Sequence, residues 1–541
     1  MPISKQTFDD HVFGRTAETT GERWIAVQQG QTVGWAPRRA FTGNSAEAVA
    51  ILSHQGIDII GRDHLGHIHA SINALKDFPP GDLVTGVGWN GRHFALQDAT
   101  VFSPKGSLPF AVVLEPIAGK NDIAGSHEKW LERVATPLAR LPLSSFCLML
   151  AFVGPILSLT ERDSNFGFEL VGGKGRGKST LQRLTASIFG GIGAGSSGRY
   201  LETFDTTLNA LEPQLRNHAD LLLILDEAAL FFAGSSDRQR AAQFQAFAFK
   251  MATGDEKGRM NASRARGIRM AYISSSNERL EDIIATKSTT ASAAGDRFMT
   301  IPVPDDQPHG VFESLPAGYA SGSALAQSLI SAAGKHHGHA IRVFLEALVD
   351  ARAADQKGLR KRIKRLVEQF QENVGIDLNS GTDVRVSEAF GLVFAAGRLA
   401  RDYGALPASF RNLGTAVARV YDMHRQAMAA TLPFIERLQE IAEKPETILL
   451  SKRRAALTAE TLEAAPAFIA MKRDHREALI TVEAFVRQFP DHLRLLKQRE
   501  VGDLMKRDGR NDTCWRALAK GIDKKRVYVF RLPPLEDRNS I

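Results

Sequence analysis

The run Gly172-Gly173-Lys174-Gly175-Arg176-Gly177-Lys178-Ser179 constrains this chain more than any other feature. It satisfies the pattern G-x-x-x-x-G-K-[ST] without a mismatch. The apolar run FGFELV precedes it and the helical run KSTLQRLTASIF follows. Strand, glycine-rich loop and helix in that order make a phosphate cradle. Glycines let backbone N–H groups converge without a Cβ in the way, and the helix N-terminus adds partial positive charge. Gly172, Gly173, Lys174, Gly175, Arg176, Gly177, Lys178, Ser179 and Thr180 are therefore the expected ATP-binding loop. Lys178 would reach the β- and γ-phosphates, and the Ser179 hydroxyl would ligate Mg²⁺. A flexible basic turn is the plain alternative.

A second stretch decides between them. LLLILDE, residues 221–227, reads as a buried strand with two acids at its carboxyl end. In a parallel sheet that end borders the ligand crevice. Asp226 is the expected metal ligand, and Glu227 the group that polarises the attacking water. A third strand, MAYISSSNE, ends in Ser274, Ser275, Ser276 and Asn277. Asn277 or Ser276 would there contact the γ-phosphate or orient the water. Arg297, which starts the strand RFMTIPVP, sits where ring ATPases place an arginine that reaches a neighbouring subunit's nucleotide. A surface arginine paired with Asp296 is the alternative.

Between the second and third strands, GDEKGRMNASRARGIR carries Lys257, Arg259, Arg264, Arg266 and Arg269. It reads as a basic loop that contacts nucleic-acid phosphates, senses phosphate at a subunit interface, or is merely solvated. Net charge is +8. Residues 351–541 carry 35 Lys and Arg against 25 Asp and Glu, so the excess lies in the C-terminal third and suggests a polyanionic partner.

Two cysteines, Cys147 and Cys514, exclude a disulfide framework and fit a reducing cytoplasm. FCLMLAFVGPILSL, broken by Gly154 and Pro155, is too short for a bilayer span and reads as a buried helix. The clusters His64, His67, His69 and His336, His337, His339 lack cysteine or carboxylate partners at ligand spacing and read as surface or core histidines.

Five segments emerge. Residues 1–120 read as a β-rich α+β domain, with strands RWIAVQQG, DLVTGVGW, RHFALQDATVF and PFAVVLEP and the helix SAEAVAILSHQG. Residues 121–165 read as a helical connector. The α/β P-loop NTPase core, an AAA+ or RecA-like parallel sheet, spans 166–320. Residues 321–432 read as a helical lid or bundle, and 433–541 as a basic helical domain. Its last 45 residues, with VGDLMKRDG, DTCWRALAKGI and KKRVYVFRLP, read as helix–turn–helix–strand, a winged-helix-like module that grips duplex DNA or docks a protein.

Several blocks resemble the bacterial and mobile-element helicase-like ATPases grouped as domain of unknown function nine-two-seven. They are VGWNGRHFAL, TTLNALE, EPQLRNHADLLLILDE, FAFKMATGDEKGR, YISSSNE, HGVFESL and RVSEAFGLVFAAGRLARDYG, in order from about residue 80 to 430. The resemblance implies an AAA+-like ATPase core, a hexameric ring, a setting in DNA replication or mobile elements, and action on single-stranded or forked DNA. It carries nucleotide contacts to Lys178 and Ser179, metal and water to Asp226 and Glu227, and the trans phosphate contact to Arg297. SSSNE departs from the Ser/Thr-Gly-Glu more frequent in relatives, and a tryptophan usual before that strand is missing. The expectation is an ATP-driven ring motor on DNA. A nucleotide-controlled assembly switch in element control or phage defence is the alternative.

Overall fold

A computed structural model describes the chain except residues 1–7, 19, 194–199, 204–207, 227–246, 248–249, 252–267, 278, 280–297, 304, 306, 430–433, 451–456, 473–474, 490–491, 497–498, 510, 520–522 and 533–541. Two compact units follow one another, residues 1–423 and 424–541.

The first unit opens with β1 (His11–Ala17), β2 (Arg23–Gln29), β3 (Thr32–Pro37) and the short β4 (Pro80–Gly81), in the order β3-β2-β1-β4. Gly30, at φ 60°, turns the two-residue loop between β2 and β3. Helices Ala46–His54 and Gly61–Ala74 close a small core of Ile25, Val27, Leu52, Ile57 and Ile68 on this sheet. His64 belongs to that packing. It is buried, bonds Asp10 at 2.5 Å through Nε2 and stacks on Phe8.

Short strands follow: β5 (Leu83–Val84), β6 (Gly88–Asn90), β7 (His93–Ala95), β8 (Val101–Phe102) and β9 (Ala111–Val112). The long strands expected over DLVTGVGW, RHFALQDATVF and PFAVVLEP are thus fragments of two or three residues. The β6–β7 hairpin is fastened to the rest of the unit at Trp89. Its backbone N–H donates to Asp220 at 3.0 Å, and its indole N–H to the Pro155 carbonyl at 2.9 Å.

The apolar run 146–159 is buried, as expected, but divides into helices Pro142–Leu150 and Val153–Leu157. A proline ring clashes with the carbonyl four residues back, so Pro155 forces the break at Ala151–Phe152.

Next comes a five-stranded, wholly parallel sheet of β10 (Phe166–Val171), β11 (Glu202–Thr203), β12 (Leu222–Asp226), β13 (Ala271–Ser276) and β14 (Phe298–Pro302). Their order is β11-β12-β13-β10-β14. The helix Lys178–Ala186 follows β10. Helices Gly322–Lys335, His339–Val374, Gly381–Asp402 and the first part of Leu413–Ala429, as far as Met423, complete the unit. They share one core with the sheet, where Phe168 of β10 packs edge-to-face with Phe146 and Phe390, ring centroids 4.9 and 5.0 Å away. His336 and His339 serve architecture here, bonding the Ser126 N–H and the Ala124 carbonyl.

The second unit corrects the expected helical C-terminus. It holds a five-stranded mixed sheet of β15 (Ile448–Leu450), β16 (Phe468–Met471), β17 (Arg476–Thr481), β18 (Cys514–Arg516) and β19 (Lys525–Leu532), ordered β15-β16-β17-β19-β18. DTCWRALAKGI, read as a helix, instead places Cys514–Arg516 in a strand antiparallel to β19. Pairing decides this: Cys514 faces a core with Val527 and Val529, while Trp515 turns outward.

Candidate nucleotide site

All four described strand ends of interest lie along the carboxyl edge of the parallel sheet. β10 runs into the glycine-rich loop, β12 ends on Asp226, β13 ends before Asn277, and β14 runs on toward Asp305. One strand, β13, separates the loop-bearing strand from the acid-bearing one.

The loop needs its glycines. Gly175 and Gly177 adopt φ of 75° and 89°, where side-chain-bearing residues are strained. A Cβ on Gly172 would stand 2.4 Å from the Val303 carbonyl oxygen. Gly177 caps the Lys178–Ala186 helix, so that helix points its N-terminus at the loop.

Lys178 is buried, with 8% of its surface exposed. Its ammonium donates to the carbonyls of Gly172 and Gly173, the latter at 2.9 Å, and to Asn277 Oδ1 at 3.3 Å. Burial holds its pKa below the usual lysine range, and Asp305 and Asp226 push the other way. The Ser179 hydroxyl donates to Asp226 Oδ1 at 3.0 Å, and the Ser275 hydroxyl reaches the same oxygen at 2.9 Å. Gln182 Nε2 bonds the Leu225 carbonyl at 2.9 Å, locking the helix to β12. Three distant segments, 178–179, 226 and 275–277, therefore meet. A carboxylate and a hydroxyl make a hard oxygen pair of the kind Mg²⁺ takes.

Lys174 is exposed, and Thr180 lies in the helix's first turn. Arg176 is turned away from a phosphate role. It bonds Asp305 through Nε at 3.2 Å, the Asp305 carbonyl through Nη2, and the Gln307 carbonyl at 3.2 Å. Asp305 also accepts from the Gly173 N–H at 3.3 Å. Asp305, Ser275 and Glu169 were not anticipated. Glu169 is a buried carboxylate in β10 that accepts from Ser276 Oγ at 2.7 Å, so Ser276 faces into the sheet while Asn277 faces the loop lysine. The only sequence signal for Asp305 is the acidic pair after the strand RFMTIPVP. Glu227, Arg297, Lys257, Arg259, Arg264 and Arg266 lie outside the described residues, and Arg269, at the described entry to β13, is exposed.

The fold and loop define a class: a multidomain mixed α/β protein built on a parallel sheet, with a strand–glycine loop–helix unit at the sheet's carboxyl edge. Residues 5–270 match the family model described as Domain of unknown function (DUF927), and the chain carries that domain. The match begins well before residue 80, so the N-terminal sheet falls within it. Among solved structures, the chain is similar to "SCCmec type IV Cch - active helicase", at 13% identity and a TM-score of 0.57, over 97% of this chain and 93% of that one. At that identity the likeness shows a shared fold with a mobile-element helicase. No curated protein matches. No helix among the described residues is long and apolar enough to cross a membrane.

Proposed function

We propose that this chain is an ATP-hydrolysing motor of AAA+ type that assembles as a ring, a hexamer, and acts on DNA in replication or mobile-element maintenance. The observation that carries the reading is the meeting of Ser179 and Asp226 beside Lys178 at one sheet edge. The interposed β13 supports it, because that strand brings Asn277 to the same lysine.

The loop N–H groups and Lys178 would bind the β- and γ-phosphates, which compete for the lysine donors now shared by Gly172 and Gly173. Ser179 and Asp226 would hold Mg²⁺, which when bound neutralises phosphate charge. Glu227, next after Asp226, would orient and deprotonate the lytic water, and Asn277 would report the γ-phosphate to it. Arg297 from a neighbouring subunit would complete the site, and the basic stretch around Lys257, Arg259, Arg264 and Arg266 would contact the DNA backbone. The likeness to a helicase fold supports DNA as the partner.

The test is ATP turnover by the purified chain with and without single-stranded or forked DNA, alongside displacement of a labelled strand. Stimulation with displacement is expected. No affinity for ATP would overturn the whole reading. An ATP-dependent change of particle size without displacement would leave a switch in place of the motor.

A further inference from the structure

The outer side of β19 is covered by β18 near its start and by Met505–Lys506 further along, so these segments form one continuous edge of the second unit's sheet. Trp515 sits on that edge with 61% of its surface exposed. Folding does not require it there. Its neighbour Cys514 fills the apolar core, and the opposite face is closed by Phe485, Phe489 and Phe530 without the indole.

The indole's cross-strand partner is Arg526, and Arg516 faces Lys525. Arg526 is oriented by its bond to Thr513 Oγ1 at 2.6 Å. Lys524, Lys525 and Arg526 are all exposed. Among the described residues of 505–532 there are seven lysines and arginines against three aspartates, and one of the seven, Lys506, is paired with Glu477 of β17 at 3.0 Å. One of those aspartates, Asp512, is paired with Arg507 at 3.0 Å. The edge therefore presents a net positive strip with an exposed aromatic plane in it.

We propose that this edge binds single-stranded nucleic acid, with a base stacked on Trp515 and the backbone phosphates held by Lys524 and by Arg526, which shares the indole's face of the sheet. The inference rests on the reading that the chain acts on DNA, and it names a surface that reading does not. Basic residues alone would suit any polyanion. An exposed indole among them selects a ligand that offers both charge and a free π-face. A duplex buries its base faces against one another, so the single strand fits and the duplex does not.

The experiment uses the full chain and a labelled 20-mer of thymidylate, read by anisotropy over a range of salt. Trp515→Ala is expected to weaken binding about 5- to 100-fold, and Trp515→Phe, which keeps a stacking face, to retain most of it. Lys524→Ala with Arg526→Ala should make the plot of log affinity against log salt shallower by about 1.4, at about 0.7 per lost phosphate contact. An oligonucleotide bearing 5-iodouracil should crosslink to the peptide that contains Trp515. Unchanged affinity in these variants, with crosslinks elsewhere, overturns the inference and leaves the DNA reading standing. A parent chain that binds no oligonucleotide at all overturns both. Intact oligonucleotide affinity with lost self-association would assign the edge to strand pairing between proteins and likewise overturn it. Unaltered circular dichroism establishes that each variant is folded.

Discussion

His218 and Asp220 stand in one turn before β12 and pull stability in opposite directions as pH changes. His218 is fully buried, its Nδ1 tied to the Gln214 carbonyl at 2.8 Å, and burial lowers its pKa to about 4. Its neutral form is favoured by folding. The stability it contributes is complete above pH 6.5 and is lost as pH falls toward 4, about 3 kcal/mol in all. Asp220, facing Arg269 and Arg352, is raised by burial to about 6. Its folded form takes up a proton before the unfolded one does, so lowering the pH from about 6 toward 4 adds stability. Its surface is only partly buried, which makes its share the smaller. Asp220→Asn keeps the acceptor for Trp89 and tolerates the left-handed backbone at φ 55°. That variant should lose urea resistance more steeply than the parent between pH 6.5 and 4. Parallel curves would show that Asp220 does not titrate there. At the nucleotide site, Glu227→Gln is expected to retain ATP binding and lose turnover, measured by nucleotide titration and phosphate release. Unchanged turnover would remove Glu227 from the role of base. Lys178, Ser179 and Asp226 were legible because each sits in a local pattern whose geometry the backbone enforces. Asp305 was not, since it reaches Gly173 from 132 positions away and belongs to no motif.

At the scale of elements, packing distance decides which glycines matter. Gly154, in the helix Val153–Leu157, lies so close to the start of β12 that a Cβ would stand 2.6 Å from the Leu221 backbone. Backbone cannot step aside as a side chain can. Gly154→Ala is therefore expected to cost about 1–3 kcal/mol and to lower the thermal midpoint. Gly66, inside the helix Gly61–Ala74, has nothing within 4 Å of its Cβ position. Gly66→Ala should raise stability by about 0.5–1 kcal/mol. Scanning calorimetry of the two variants reads opposite signs, and equal signs would contradict this account. The long amphipathic helices were readable from periodicity. The helix His339–Val374 is interrupted once, at Asp355, whose carboxylate accepts from the Gly358 N–H at 2.8 Å. Of the second unit's sheet only β19 was readable, as the strand KKRVYVFRLP. The sheet's strands are three to eight residues long, and β18 is held by pairing with β19 rather than by any alternation of its own. The run Gly61–Ala74 was missed as a helix because its histidines and aspartate dilute the apolar stripe.

For the molecule as a whole, the proposed chemistry makes activity a property of the assembly. Lys178 and Asp226 lie on one chain, but the proposed Arg297 contact comes from the next. A Lys178→Ala subunit lacks the nucleotide grip yet still offers a sound Arg297. An Arg297→Ala subunit binds ATP yet offers nothing to its neighbour. Each variant alone should be inactive. Mixed together, some interfaces pair an intact loop with an intact arginine, and ATP turnover should partly return, passing through a maximum as the mixing ratio varies. For the same reason, specific activity of the unmodified chain should rise with protein concentration until assembly is complete. Turnover that is linear in concentration from the most dilute sample, together with no rescue at any mixing ratio, would mean that one chain holds the entire site. The loop, Asp226 and Asn277 would keep their roles in that case, and Arg297 would revert to the surface partner of Asp296.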